Sequence, residues 1–297
     1  MRSFLINIFI FSAIILCLLI PSEIYVEGMP NPARYKHEWM SQHSEEVQTL
    51  ILGSSHTYYG ISPDSLGEGA FSLALVSQTY QYDLYLLKHY SMPRLRTLIL
   101  PFSYFSMWED ESNMYPPDIS RYRIYMDCDN HSRWSEYGFE FFNTKAFVEK
   151  LKSLYTPPTE TWSEKGWGTN YTFESRPDPW DNGAERAKNN TYTDTTVVSA
   201  NRIYLSSIFR FCRERGVKVI LVTTPVSSTF LESEDPRQVA INNEERDRLL
   251  AIYPEVLYLN LESDSHFRDE HFHDADHLDT DGARLLTSLL SEYCSSE

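Results

Sequence analysis

The sequence predicts an α/β protein: a three-layer α/β/α sandwich around a mostly parallel sheet of about five strands, interrupted by one long insertion after the third strand. Three observations carry this. Short apolar runs of strand length alternate with longer segments of helical period. The runs are apolar throughout and not alternating, as strands covered on both faces must be. Several of them stop in small or turn-forming residues, which marks strand ends from which the chain must cross back over the sheet.

The first element is "TLILGSS", Thr49–Ser55, an apolar strand that halts at Gly53-Ser54-Ser55. "FSLALV", Phe71–Val76, reads as a second strand, and "SQTYQYDLYLLKHY" after it as an amphipathic helix. "LRTLILPF" supplies the third strand. Beyond the insertion, "ANRIYLSSIFRFCRERG" has helical spacing and ends at Gly216, the residue type that stops helices, and runs directly into the strand "VKVILVTTP". "NNEERDRLLAIYP", "VLYLNL" and "GARLLTSLLSEYC" add a helix, a strand and a helix.

The chain has 297 residues, enough for one large domain with a substantial core, and its 42% hydrophobic content excludes disorder as the general state. A formal charge of −16 leaves no basic surface of the kind that neutralises phosphates, so nucleic acid is not an expected partner. From Phe4 to Ile20 the chain is apolar apart from Asn7 and Ser12. That run spans roughly 25 Å as a helix, near the lower limit for crossing a bilayer. It lacks a clear small-x-small cleavage site, so residues 1–21 are expected to form a membrane anchor, the alternative being a cleaved signal. Arg2 before the run, with Glu23 and Glu27 after it, orients the bulk of the chain outside the cytoplasm. Cys17 follows the bulky Leu16 and not the small residue of a lipid-attachment site. Cys128, Cys212 and Cys294 are too widely spaced for a disulfide framework or a zinc motif; Cys212 is expected in the core, and one bridge through Cys128 stays open. Residues 22–46 read as a linker, and 47–297 as the α/β domain with its insertion at about 103–198. The insertion is rich in aromatics and prolines, which either pack a small core of its own or form a lid or sugar-stacking wall.

Two stretches can carry chemistry. Gly53-Ser54-Ser55-His56 stands at a strand end, where open α/β sheets build their sites. A serine pair there is either a turn or a nucleophile. "HFHDADHLDTDGARLLTSLL" puts Asp274 and His277 three residues apart before the last helix. A carboxylate on one imidazole nitrogen leaves the other to take a proton from a serine, so Ser55, His277 and Asp274 fit a nucleophile, base and orienting acid. His271, His273, Asp274, Asp276 and His277 also offer metal ligands, but without the spacing of a metal-binding helix, and no metal or cofactor is expected. Alternatively, Asp279 or Thr280 caps the last helix and the histidines are solvated. His56 is read as structural or substrate-contacting and not as the base, since neighbours at a strand end point to opposite sides.

Together the two stretches resemble the SGNH (GDSL-like) hydrolase superfamily, and more closely its membrane-anchored, extracytoplasmic branches linked to O-acylation of envelope glycans. Gly53-Ser54-Ser55 stands where that family has Gly-Asp-Ser, Asp274-Ala275-Asp276-His277 where it has Asp-x-x-His, and "DHLDTDGA" is similar to its His-Leu-Asn-x-x-Gly-Ala ending, with Asp279 in place of Asn. The resemblance covers roughly residues 47–105 and 200–293. It implies a flavodoxin-like sheet and a catalytic triad of Ser55, His277 and Asp274. The family's central Gly and Asn, which donate to the oxyanion, have no evident counterparts. By position Ser77, Gln78 and Ser103 are the expected donors, and His56 and Tyr104 the expected substrate contacts. The implied activity is hydrolysis or transfer of an acyl group, acetyl above all, on an acylated envelope polysaccharide outside the cytoplasm. The alternative is a non-catalytic glycan-binding or accessory protein beside a polytopic membrane O-acyltransferase.

Overall fold

A computed structural model of the chain describes residues 1–128, 138–153 and 160–294. Parts of the expected insertion, residues 129–137 and 154–159, lie outside the described residues. The chain forms two compact units, one of Met1–His37 with Tyr115–Glu160 and one of Glu38–Met114 with Thr161–Glu297. The insertion is therefore divided between them.

The first unit begins with helix α1 (Arg2–Glu27), which is long and apolar enough to cross a membrane, with a mean hydropathy of 2.8 over its most apolar window and none of that window buried. It is the one such helix among the described residues. Helix α2 (Pro32–His43), whose residues to His37 belong to this unit and the rest to the second, occupies about half of the stretch expected as a linker. Helices α5 (Pro116–Met126) and α6 (Thr144–Lys152) complete the unit. Glu23 near the end of α1 accepts the backbone N–H groups of Glu140 at 2.5 Å and Phe141 at 3.0 Å, and Glu140 in turn accepts from Tyr125 and Lys150, both at 2.6 Å.

The second unit holds the expected sheet. Strands β1 (Thr49–Ile51), β2 (Ala70–Ser72), β3 (Thr97–Pro101), β4 (Lys218–Thr223) and β5 (Leu257–Asn260) lie in the order β2-β1-β3-β4-β5, every neighbouring pair parallel. Leu50, Ile51, Leu98, Ile99, Ile220 and Leu221 are fully buried, which is why these runs are apolar on both faces. Burial of each such side chain contributes about 1.5–3 kcal/mol. The helices that cover the sheet include α4 (Tyr80–His89), α8 (Thr195–Arg215), α10 (Pro236–Ile252) and α11 (Thr280–Cys294). Helix α8 is capped at its start by Asp194, which accepts the Thr196 N–H at 2.9 Å, and stops at Gly216 in the left-handed region, φ 66°. Short helices α3 (Ser55–Gly60), α7 (Gly183–Asn189) and α9 (Ser228–Glu232) stand beyond the strand ends. A two-stranded antiparallel hairpin, β6 (Phe272–Asp274) and β7 (His277–Leu278), precedes α11. Cys17, Cys212 and Cys294 are free thiols, and Cys128 and Cys212 are buried.

Candidate active site

The serine pair sits on a forced turn. After β1 the chain reverses at Gly53, φ 107°, a conformation side chains avoid, and a Cβ there would lie 2.3 Å from the Pro101 ring. The Gly53 N–H donates to buried Asp83 at 2.8 Å, which fixes the turn. Ser54 is extended (φ −84°, ψ −164°), and Ser55 is the first residue of α3. Ser55 thus opens a helix and does not end a strand, and its side chain stands beyond the carboxyl edge of the sheet. Its backbone N–H has no acceptor among the described residues.

The base and its acid face each other across a hairpin. Asp274 and His277 are paired residues of β6 and β7, with Ala275 and Asp276 at the tip. The tip is held by the Ser227 N–H, which donates to the Ala275 carbonyl at 2.7 Å. Asp274 Oδ1 accepts the N–H of His277 at 3.0 Å and lies 2.9 Å from His277 Nδ1, with Oδ2 at 3.1 Å. His277 Nε2 lies 2.8 Å from Ser55 Oγ. The three residues are joined in one hydrogen-bonded chain, and His277 and Asp274 are buried.

A second carboxylate joins them. Asp276 Oδ1 lies 3.4 Å from His277 Nδ1, and Arg186 from α7 pairs with Asp276 through its Nε while its Nη1 lies 3.6 Å from Asp274. Burial disfavours the imidazolium of His277, but the charges of Asp276 and Asp274 outweigh it and push its pKa up to about 9. Burial likewise disfavours the Asp276 carboxylate, and His277 and His56 hold it well below the usual range nonetheless. His56 is the reverse case. Desolvation lowers its pKa despite Asp276 Oδ2 at 3.4 Å from its Nε2. Its Nδ1 lies 2.7 Å from Ser103 Oγ and 3.1 Å from Thr224 Oγ1, the surroundings of a neutral imidazole that donates to Asp276 and accepts from hydroxyls.

A cavity of about 240 Å³ opens over Ser55 and His277, walled by Ser54, Val76, Ser77, Phe105, Glu109, Tyr171, Arg186, Asn190 and Asp276. Hollows of about 880 and 730 Å³ elsewhere are lined by residues such as Gln48 and Gly69, next to the starts of β1 and β2, the edge opposite to the one where such sheets build sites. Tyr171 brings the insertion into the cavity wall: it stacks between Tyr59 (3.7 Å between centroids) and His273 (3.9 Å) and meets His277 edge-on at 5.5 Å.

No family model matches the chain, and no curated protein matches it in sequence. Solved structures that superpose on it include one provisionally assigned as a platelet activating factor from Streptococcus pneumonia, with 12% identity over 96% of this chain and 98% of that one and a TM-score of 0.45. A provisionally assigned acylhydrolase from Bacteroides fragilis covers 89% of this chain and 97% of its own at 11% identity and TM-score 0.45. A GDSL-like lipase from Bacteroides thetaiotaomicron covers 89% and 98% at 11% identity and TM-score 0.44. Likeness at this level bears on neither activity nor substrate, which rest on the residues themselves.

Of the sequence-derived residues, Ser55, His277 and Asp274 come together, and Ser77 lines the cavity with a left-handed backbone, φ 58°. The others need correction. Gln78, expected to donate to an oxyanion, donates through Nε2 to Asp83 at 2.7 Å, because that buried carboxyl, pushed up to about 7 by desolvation, needs donors more than the cavity does. Ser103 spends its hydroxyl on His56. His56 is no substrate contact but a buried partner of Asp276, since on a helix its side chain swings about 100° away from that of Ser55. Tyr104 is a bracket: its hydroxyl accepts the Asp235 N–H at 2.8 Å and lies 2.9 Å from Thr191 Oγ1, while its carbonyl accepts from Gln238 and Asn242. Of the other ring nitrogens, His271 Nδ1 accepts from the Arg268 N–H at 3.0 Å and His273 Nδ1 lies 3.4 Å from the Thr172 carbonyl. One donor atom each from His56, Asp276 and His277 falls within a 4.8 Å span, but the Asp276 carboxylate is already matched by Arg186. Asp279 caps α11, accepting the Gly282 N–H at 2.8 Å, so the capping role coexists with the triad arrangement. Sequence reasoning missed Arg186, Glu109, Asn190 and Tyr171. All four stand where the sequence reading placed the insertion, at no recognisable spacing from Ser55 or His277.

Proposed function

We propose that the protein is a serine-dependent acyl-ester enzyme that removes or transfers an acyl group, acetyl in particular, on an envelope polysaccharide outside the cytoplasm. The observation that supports it best is the unbroken chain from Ser55 Oγ through the two nitrogens of His277 to Asp274, at 2.8 and 2.9 Å. Neutral His277, its Nδ1–H donated to Asp274, takes the Ser55 proton at Nε2 as Oγ bonds to the ester carbon. The same proton then goes to the departing alcohol as the acyl–serine ester forms. Water or a sugar hydroxyl attacks that ester next, giving its proton to Nε2, and this proton passes to Ser55 Oγ as the acyl–Oγ bond breaks. The Ser55 N–H is one donor for the oxyanion, and Ser77 and the Asn190 amide, which line the same cavity without partners among the described residues, are candidates for the others. The apolar α1 supports anchorage in a membrane, and Arg2 before its apolar run with Glu23 and Glu27 after it support an extracytoplasmic side for the rest of the chain. The acceptor or donor partner would be an acylated glycan, and a membrane-bound O-acyltransferase could supply the acyl group.

A second reading, an accessory protein without chemistry, is favoured by the charges around His277: Asp276 and Asp274 push its pKa up to about 9, so near neutral pH most of it is imidazolium and only a small fraction can take the serine proton. Reaction of the full-length protein in detergent with a fluorophosphonate separates the two. Covalent labelling at Ser55 that rises with pH between 7 and 10 is expected. Labelling elsewhere, or an unlabelled protein at pH 10, would overturn the serine mechanism.

A further inference from the structure

Besides the triad, residues walling the cavity carry polar atoms for which no described neighbour is a partner. Ser54 Oγ is enclosed, its residue 4% exposed, and makes no hydrogen bond. Glu109 is held by its own backbone carbonyl, which accepts from Asn201 Nδ2 at 2.9 Å, and by Tyr192, whose hydroxyl donates to Oε1 at 3.1 Å. Its second carboxyl oxygen has no partner among the described residues. Asn190 is fixed by its main chain, donating to the Arg186 carbonyl at 3.0 Å and accepting from Gln238 at 2.9 Å, while its side-chain amide is unengaged. Buried polar atoms in folded proteins nearly always have partners, which Ser54 Oγ lacks, and the half-buried Glu109 and Asn190 line the cavity with unused hydrogen-bonding atoms, so it suits a ligand that brings its own donors and acceptors.

We propose that Glu109 is the specificity-determining residue of this cavity, receiving a hydroxyl of the alcohol that bears or accepts the acyl group, with Asn190 taking a neighbouring hydroxyl. The ligand class is a neutral polyol, as in a sugar. An alkyl alcohol would cover Glu109 and Asn190 without satisfying them, and an anionic one would meet the charges of Glu109 and Asp276. Burial, opposed by the Tyr192 hydrogen bond, pushes the Glu109 carboxyl up to about 7, so near neutrality it can accept from one hydroxyl or donate to another.

The inference rests on the acyl-ester reading for the bond that reacts, and not for the binding. Glycerol monoacetate and n-propyl acetate share acyl group and chain length and differ in two hydroxyls. With Glu109→Leu, which removes a buried carboxyl without opening a large cavity, the ratio of kcat/KM for glycerol monoacetate over propyl acetate should fall about 10- to 100-fold, mostly through KM, the range for a hydrogen bond to an ionisable group. Glu109→Gln should recover most of the ratio. An unchanged ratio, or equal losses on both esters, overturns the proposal. Binding is read separately, by saturation-transfer NMR with methyl β-D-glucopyranoside: a signal with the wild-type chain that Glu109→Leu abolishes is expected. If neither ester turns over while that signal stands, the ester reading falls and the role of Glu109 remains. Absence of the signal from the wild type, or its persistence in the variant, overturns the role of Glu109.

Discussion

The two sides of the cavity differ in how completely their polar atoms are bonded. On one, Ser55, His277, Asp274, Asp276 and Arg186 form a closed network in which every charge has a counter-charge. On the other, Ser54, Ser77, Glu109 and Asn190 keep hydrogen-bonding capacity that no described neighbour uses. A closed network is set up to act on a bond, because its groups are already held in reacting geometry and need no rearrangement. An open one is set up to hold something, because its atoms gain partners only when a ligand arrives. The same contrast recurs between the two histidines beside Ser55. Their rings lie 5.2 Å apart and share Asp276, yet the one with two carboxylates is pushed up and the one among hydroxyls is lowered.

The sharpest way to break this contrast is to cut the closed side. Ser55→Ala and His277→Ala should each lower ester turnover by about 10⁴-fold or more, and the double variant by little further, since members of one catalytic unit are not additive. Additive losses in single-turnover assays would dissolve the unit. Asp274→Asn should lose roughly 10²–10⁴-fold, because the imidazole loses both its orienting partner and a compensating charge. On the open side Asn190→Ala should cost on the order of 10² in kcat if its amide reaches the oxyanion. A KM effect alone would assign it to binding.

Asp276→Asn sharpens the comparison through pH. A base must be neutral, so activity should rise with pH through about 9, the His277 value. Removing the Asp276 charge lowers that value and leaves the Arg186 cation opposed by Asp274 alone, which lowers it further. The acid limb of kcat/KM should therefore move down by more than about one unit, giving higher activity near pH 7 than the wild type. Because Asp276 is buried and paired, melting curves must accompany the profile; breaking such a pair can cost about 3–5 kcal/mol. The raised His277 value also stabilises the fold, fully at pH below 6.5 and no longer as pH rises through about 9. The smallest expected effect is that of a chelator. Activity on p-nitrophenyl acetate should be unchanged, and a loss restored by zinc would reassign His56, Asp276 and His277 as ligands.

What the sequence by itself determined follows from short-range pattern. Four buried parallel strands show as apolar runs, since both their faces are covered, and the half-buried fifth at the sheet edge shows as the shorter run "VLYLNL". The glycine before Ser54 shows because only glycine accommodates φ 107° against Pro101. Asp274 and His277 show because residues three apart across a tight hairpin are opposite each other by local geometry. Tertiary structure alone decided the rest. That Ser55 starts a helix turned His56 into the core, and that Asp83 is buried drew Gln78 away from the cavity. Arg186, Glu109, Asn190 and Tyr171 reach the site from a segment whose path no sequence period reports. Asp276, next to His277 in sequence, reads there only as one of several potential metal ligands, yet it is shared by two histidines and an arginine. Its influence depends on distance and burial, and those exist only once separate parts of the chain have excluded water from the same place.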